Sequence, residues 1–100
     1  MLFKNRFHAG IVDGSITCTF RRWQRPQAAA GRRYRQAFGE IEVTAVRETT
    51  LEKIGQREAR LSGFADLDAL LRELNNTSCG EIYRVDFRFA GADQIGRAHV

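Results

Sequence analysis

The chain has 100 residues, of which 43% are hydrophobic and 28% charged, with a net charge of +4. This length predicts a single domain with one core, and the composition is that of a globular protein rather than a disordered or fibrous one. No apolar run reaches the roughly 18 residues of a membrane span, and the first residues lack the apolar core of a signal peptide, so we expect a cytoplasmic protein with no membrane partner.

The positive charge is concentrated in the first third of the chain. Residues 1–35 contain eight arginines and lysines against Asp13 alone, and residues 36–81 carry an excess of acids. Six arginines fall between positions 21 and 35 with no acid among them. Such a block repels itself and stays solvated unless an anion is close. Two interpretations remain open: an arginine-rich loop in solvent, or a surface that faces phosphate groups.

The cysteine content excludes a disulfide scaffold and a cysteine-ligated zinc site. Cys18 and Cys79 are the only cysteines, which is too few for a disulfide scaffold, and neither has a partner at the short spacing of a zinc site. We therefore expect two reduced thiols that pack as small apolar groups, and no metal or cofactor.

The predicted elements begin with a short edge strand at residues 2–4 and a helix at residues 6–13, with Asn5 as its N-cap and Gly14 as its C-cap glycine. Residues 15–21 alternate between apolar and polar side chains, which predicts a strand with one apolar and one polar face.

Residues 22–31 are predicted to form a loop that contains the only proline, Pro26. Trp23 stands near its start between arginines. Two roles are open for this side chain: it fills the core beneath the loop, or it offers a surface on which a base stacks.

The rest of the chain predicts a hairpin, two helices and a last strand. The hairpin pairs residues 32–37 with 40–48, and the alternation shifts at residues 45–46, which marks either a bulge or the end of the strand. A helical segment at residues 51–62 is split by Gly55, and a leucine stripe predicts a core helix at Leu67–Asn75 capped by Asp66. Residues 81–89 alternate strictly and form the clearest strand. This order favours an α+β fold: a small, curled, mostly antiparallel β-barrel of about five strands with inserted helices.

The order of elements and several local motifs resemble the ASCH domain, a branch of the PUA-like superfamily. The motifs occur in the family's order over residues 1–93, and the loop matches a bacterial subgroup with an Arg-Trp-x-Arg-Pro sequence. The stretches that carry the resemblance are Leu2-Phe3-Lys4, Ile11-Val12-Asp13-Gly14, Thr19 with Arg21, Arg22-Trp23-Gln24-Arg25-Pro26, Gly39-Glu40-Ile41-Glu42-Val43-Thr44, Ala59-Arg60-Leu61-Ser62-Gly63-Phe64 and Tyr83-Arg84-Val85-Asp86-Phe87.

The resemblance implies a cleft beside the first helix that binds RNA or a nucleotide-like ligand, with Lys4, Thr19 and Arg21 lining it. The residues themselves point to the same place, because arginine forks suit phosphate and interleaved aromatic rings can stack on bases. The predicted RNA-binding residues are Lys4, Thr19, Arg21, Arg22, Trp23, Arg25, Arg32 and Arg33. The sequence does not indicate an oligomeric state.

The resemblance also implies an alternative, because some ASCH proteins are similar to acetylcytidine amidohydrolases with a Lys, a Thr and a Glu, and others are ribonucleases. The threonine maps to Thr19, but the lysine position holds Ile16 and the glutamate position holds Ser62. A threonine needs a nearby base to act as nucleophile, for which Lys4 or Glu40 would have to substitute. A binding module is therefore favoured over an enzyme.

The last residues suggest a different origin from the rest. The peptide at residues 95–100 is what one frame of a common sequencing adapter encodes. We hypothesise that the natural reading frame ends near Asp93 and that residues 94–100 are a non-native tail, the alternative being an ordinary frayed terminus.

Overall fold

The structure, a computed structural model, describes residues 3–76 and 80–91. Two short 3-10 helices, Asn5–Phe7 and Leu51–Lys53, precede helices of the α type. The remaining elements are α1 (His8–Asp13), β1 (Cys18–Trp23), β2 (Arg33–Gln36), β3 (Gly39–Thr49), α2 (Gln56–Leu61), α3 (Leu67–Asn75) and β4 (Glu81–Gly91). None of the helices in the described ranges is long and apolar enough to cross a membrane.

The strands form one curled antiparallel sheet in the order β1-β4-β3-β2. β4 is an interior strand of the sheet, and it pairs with β1 on one side and with β3 on the other. β1 and β2 are therefore the two edges. The β3–β4 register shifts between Val43 and Ala45, and β3 continues to Thr49, so the change of pattern at residues 45–46 accompanies a register shift and not the end of the strand.

Each face of the sheet carries its own core. The concave face holds the apolar row of β4 and the middle of β3, with Ile11 of α1 and Ala28 of the long loop packed over it. On the opposite face, α2 and α3 cover Cys18 and Phe20 of β1, and Leu70 and Leu74 supply the leucine stripe. The Cys18 thiol is fully buried and free, as expected of a small apolar group; Cys79 lies outside the described residues.

The prediction of about five strands is wrong for the described residues, which form four. Phe3 and Lys4 lead into a 3-10 helix instead of pairing with the sheet. The Phe3 ring packs against Phe87 at a centroid distance of 5.3 Å, and its carbonyl oxygen lies 3.1 Å from His8 Nε2. The Phe3 ring and the contact of its carbonyl oxygen with His8 thus hold this segment over the sheet. Neither contact is the main-chain pairing of a strand.

The helices lie where the sequence predicts them, and one predicted cap is wrong. α3 has the predicted bounds, and the Asp66 carboxylate accepts a hydrogen bond of 2.9 Å from the Ala69 amide at its start. α1 ends at Gly14, whose φ of 89° is the left-handed conformation of a C-cap glycine. Asn5, predicted as an N-cap, lies inside the first 3-10 helix, and no side chain caps that helix or α1.

Trp23 is 8% exposed and belongs to the core of the concave face. Its ring lies 5.7 Å from that of Tyr83. Of the two roles open from the sequence, the structure places this side chain in the core beneath the loop, with only a small part of it reaching the pocket described below.

Candidate functional site

A pocket of about 270 Å³ lies along the free edge of β1. The N-terminal segment forms one wall, and the ends of α2 and α3 form the other. The lining residues are Phe3, Lys4, Phe7, Thr19, Phe20, Arg21, Arg22, Trp23, Ser62, Phe64, Glu73 and Leu74. This volume is just below the roughly 300–1,000 Å³ of pockets for drug-sized ligands, so it suits one nucleoside-sized group.

The pocket follows the edge of the strand rather than one of its faces. Five consecutive residues, 19–23, line it, although successive side chains of a strand point to opposite faces. The Phe87 amide donates a hydrogen bond of 3.0 Å to the Thr17 carbonyl oxygen. In an antiparallel ladder the bonded pairs alternate, so Thr19 and Arg21 are bonded to β4 while the N–H and C=O of Phe20 point away from it.

Thr19 and Arg21 form a polar pair on the pocket wall. The Arg21 Nε–H donates a hydrogen bond of 3.2 Å to Thr19 Oγ1, and the guanidinium carbon lies 5.1 Å from the centre of the Phe3 ring. Since Thr19 accepts from Arg21, its own hydroxyl proton remains for an acceptor on a ligand.

The Arg21 guanidinium is a charged donor in a partly desolvated place. Burial lowers the pKa of Arg21, and the nearby Glu73 carboxylate acts in the opposite direction. Arginine stays protonated at neutral pH even in such surroundings. A partly buried charge interacts more strongly than one in bulk water, and the Glu73 carboxylate already interacts with the charge of Arg21.

Lys4 and Glu73 pair across the pocket, with Nζ 3.5 Å from the carboxylate oxygen. Both side chains are well exposed, at 67% and 44%. Exposed pairs contribute about 0–1 kcal/mol, so this ion pair does little to hold the N-terminal segment in place.

An aromatic wall closes the pocket beside the N-terminal segment. The rings of Phe7 and Phe64 lie 5.6 Å apart, and the Arg6 guanidinium stacks on both from outside, at 4.7 and 5.2 Å. The chain reaches Phe64 through Gly63, whose φ of +95° and close approach to Phe7 leave no room for a Cβ atom. The glycine therefore allows the two rings to meet.

Arg22 has structural partners although it also lines the pocket. Its Nε–H donates to the Leu74 carbonyl oxygen at 2.9 Å, and its NH1 donates to the Gly80 carbonyl oxygen at 3.1 Å. These bonds join the end of α3 to the start of β4. Arg22 is thus held by the main chain.

The other predicted arginines do not join the pocket. Arg25 and Arg32 are exposed, and no ion pair to either occurs within the described residues. Arg33 pairs with Glu40 at 3.7 Å. Two strands, β4 and β3, separate β2 from β1, so Arg32 and Arg33 lie near the opposite edge of the sheet. The single patch inferred from the sequence is divided between two places.

Only some of the positions considered for catalysis lie at the pocket. Ile16 is buried in the core of the concave face, and Glu40 lies on β3 in its pair with Arg33. Ser62 does line the pocket, but its hydroxyl donates to the Ala59 carbonyl oxygen at 2.8 Å. Lys4 is the one expected substitute base that reaches the pocket containing Thr19.

The carboxylate of Glu73 and the rings of Phe7 and Phe64 line the pocket, but they were not predicted from the sequence. Glu73 reads as an ordinary exposed helix carboxylate next to the leucine stripe, and Phe7 and Phe64 read as core residues of separate elements. No local signal links positions that far apart in the chain. No group of three or more His, Cys, Asp or Glu side chains that could hold a metal ion occurs within residues 3–76 and 80–91.

The fold and the site define an α+β protein whose curled antiparallel sheet carries a nucleoside-sized pocket on one edge. No family model, no curated protein and no solved structure matches the chain. The resemblance to the ASCH domain therefore stays a prediction from the motifs.

Proposed function

We propose that this protein binds RNA or a nucleotide-like ligand in the pocket along β1. The observation that carries the proposal is the pairing of Arg21 with Thr19 between aromatic rings. A half-buried guanidinium beside a hydroxyl donor suits a phosphate or carbonyl oxygen, and apolar rings suit the flat face of a base. The ASCH resemblance points to the same ligand class.

The remaining arginines have a subsidiary role in this proposal. Arg25 is exposed and follows the lining residue Trp23 by two positions, so we expect it to contact a phosphate that extends beyond the pocket. Arg32 and Arg33 lie farther away and would meet only a longer strand. A polymer should therefore bind more tightly than a mononucleotide, and its affinity should fall more steeply with salt.

The test is a titration of the full chain with a labelled single-stranded RNA at two salt concentrations. Arg21→Met removes the charged donor and keeps the apolar stem, and Arg60→Met removes the same charge from α2, outside the pocket. A hydrogen bond to a charged group contributes about 1.5–3 kcal/mol, so we expect Arg21→Met to weaken binding by about tenfold or more. Arg60→Met should change it less than about twofold.

Two results would contradict the proposal. One is equal affinity of the two variants, which would show that any binding follows net charge alone. The other is no binding of RNA or of a mononucleotide at low salt. Thermal melting of both variants checks that each remains folded.

A hydrolase of modified nucleosides, or a ribonuclease, is the second candidate, because Lys4 and Glu73 line the same pocket as Thr19. The hydrogen bond to Arg21 argues against it, because a threonine nucleophile needs a base beside it and a protonated guanidinium cannot take the hydroxyl proton. Turnover of an acetylated nucleoside or RNA that Thr19→Ala abolishes would favour the enzyme.

A further inference from the structure

Arg6 stands at the outer side of the pocket's aromatic wall, on the 3-10 helix Asn5–Phe7. Its guanidinium carbon lies 4.7 Å from the centre of the Phe7 ring and 5.2 Å from that of Phe64, within the roughly 6 Å of a cation–π contact. Both rings line the pocket and Arg6 does not. The two contacts therefore hold an exposed guanidinium directly beside the pocket.

The cations that line the pocket already have partners. Lys4 pairs with Glu73 at 3.5 Å, and Arg21 interacts with the same carboxylate and donates a hydrogen bond on the pocket wall. Arg22 donates to two main-chain carbonyl oxygens. An anion that approached one of these groups would have to compete with a partner that is already in place.

Arg6 differs from them, because no acceptor for its N–H groups occurs within residues 3–76 and 80–91. Its guanidinium contacts the two rings, and contact with a ring face leaves the hydrogen-bond donors to solvent. The nearby sequence adds no negative charge: Asp13 is the first acid of the chain, and its carboxylate accepts a hydrogen bond of 2.8 Å from the Ser15 amide. Arg6 is thus a charged fork that is positioned by stacking and keeps its donors available.

Phosphate is the anion that a nucleoside ligand would bring to this place. A guanidinium can donate two parallel hydrogen bonds to one phosphate group, and a side chain that is already oriented by packing loses less freedom when it binds. In a nucleotide the phosphate is attached to the sugar, beside the base, so it would extend past the edge of a ring on which the base stacks.

Resting on the proposed function, we propose that Arg6 forms a phosphate subsite next to the pocket. The site then prefers a nucleoside that carries a phosphate group, either free or within RNA, to a nucleoside without one.

The experiment measures the affinity of the full chain for adenosine and uridine, each as the free nucleoside and as its 3′- and 5′-monophosphates. The ratio of the monophosphate affinity to the nucleoside affinity isolates the phosphate contact, because the base and the sugar are the same in both. We expect the better monophosphate to bind about fivefold more tightly than its nucleoside, which is the upper end of what an exposed charge pair contributes.

A variant pair assigns the contact to its residue. Arg6→Met removes the charged fork and keeps an apolar stem against the rings, and Arg57→Met removes an exposed arginine of α2 that does not line the pocket. In Arg6→Met the ratio should fall below about twofold while the nucleoside affinity itself stays the same, and Arg57→Met should keep the fivefold ratio. Thermal melting checks that both variants remain folded.

Two further measurements separate the fork from its charge and extend the test to RNA. Arg6→Lys keeps the charge without the planar fork, so its ratio should lie between those of the unmodified protein and Arg6→Met. With single-stranded RNA, Arg6→Met should reduce the slope of log affinity against log salt concentration by about 0.7, the value of one phosphate contact. Arg57→Met should leave that slope unchanged.

The outcomes distinguish the phosphate subsite from the function beneath it. Equal affinities of nucleosides and monophosphates for the unmodified protein would overturn the subsite and leave binding in the pocket intact. A ratio that is the same in Arg6→Met as in Arg57→Met would overturn it as well, because another group would then hold the phosphate. Absence of binding by every nucleoside and monophosphate, and by RNA at low salt, would overturn the proposed function together with the subsite.

Discussion

Arg22 gives the most direct test of how the structure divides the arginine block into structural and ligand-facing groups. Its guanidinium donates to two carbonyl oxygens, those of Leu74 at the end of α3 and of Gly80 just before β4. The Leu74 carbonyl lies in the last turn of α3, where helix carbonyls depend on caps and on side-chain donors. Arg22→Ala would remove both of its hydrogen bonds and with them a link between the end of α3 and the residue before β4.

The magnitude follows from the two bonds. A hydrogen bond from a charged donor contributes about 1.5–3 kcal/mol, and a cation at a helix C-terminus adds about 0.3–1 kcal/mol. Arg22 is half-buried, so water recovers part of that loss, and we expect a net cost of about 2–3 kcal/mol. For a domain of this size, each kcal/mol lowers Tm by about 4–8 °C, which predicts a fall of roughly 10–20 °C.

The assay is thermal unfolding followed by circular dichroism, with Arg25→Ala as the matched control. Arg25 is exposed and makes no ion pair within the described residues, so its loss should stay within about 0.5 kcal/mol. Arg22→Lys should fall between the two, because an ammonium cannot donate to both carbonyls in the fork geometry. If Arg22→Ala melts at the temperature of Arg25→Ala, then Arg22 does not hold α3 to β4 and our assignment of its role is wrong.

Two further predictions concern the pocket wall and the buried thiol. Gly63→Ala should destabilise the protein about 1–3 kcal/mol more than Gly14→Ala. Both glycines have positive φ, but only a Cβ atom at Gly63 would meet Phe7, at 2.6 Å. Equal melting temperatures of the two variants would show that Gly63 is not closely packed against Phe7. Burial raises the pKa of Cys18 to about 11 from an ordinary value of 9.0, so the unfolded chain loses this proton at lower pH than the folded chain. Stability should therefore fall as pH rises from about 9 to 11, by up to about 1.4 kcal/mol per unit, and the slope should be shallower in Cys18→Ala; identical slopes would contradict the assignment.

Local patterns were sufficient wherever one element determines its own structure. The leucine stripe and the Asp66 cap gave α3 its observed bounds, and strict alternation identified β4, which extends two residues beyond the predicted end. Periodicity works in these cases because the buried face repeats along a single element. The split of the segment before α2 at Gly55 was predicted for the same reason.

Contacts between distant segments decided what the sequence left open. Residues 2–4 had strand-like composition, but their described part, Phe3 and Lys4, does not join the sheet, and the Phe3 ring packs on Phe87 instead. The six arginines all fall between positions 21 and 35 of the sequence, yet β4 and β3 lie between β1 and β2 and separate the two ends of this block in space. Strand order depends on pairings across most of the chain, which charge counts do not contain.

The two edges of the sheet show why the pocket stands where it does. Unpaired strand edges tend to pair with other chains, and proteins protect them with charge, with short length or with a cover. β2 is short and carries Arg33 and Arg35. β1 is covered instead, by the N-terminal segment and by the ends of α2 and α3, which stand off far enough to leave about 270 Å³.

If the only role of these segments were to cover the edge of β1, apolar side chains at the positions of Thr19 and Arg21 would be more stable. Placing a guanidinium in partly desolvated surroundings costs free energy. The burial that lowers the pKa of Arg21 is a sign of that cost. Edge protection accounts for the pocket's walls, but it gives no reason for the polar pair of Thr19 and Arg21 on one of them. These two side chains are therefore where substitutions should alter ligand binding more than they alter the fold.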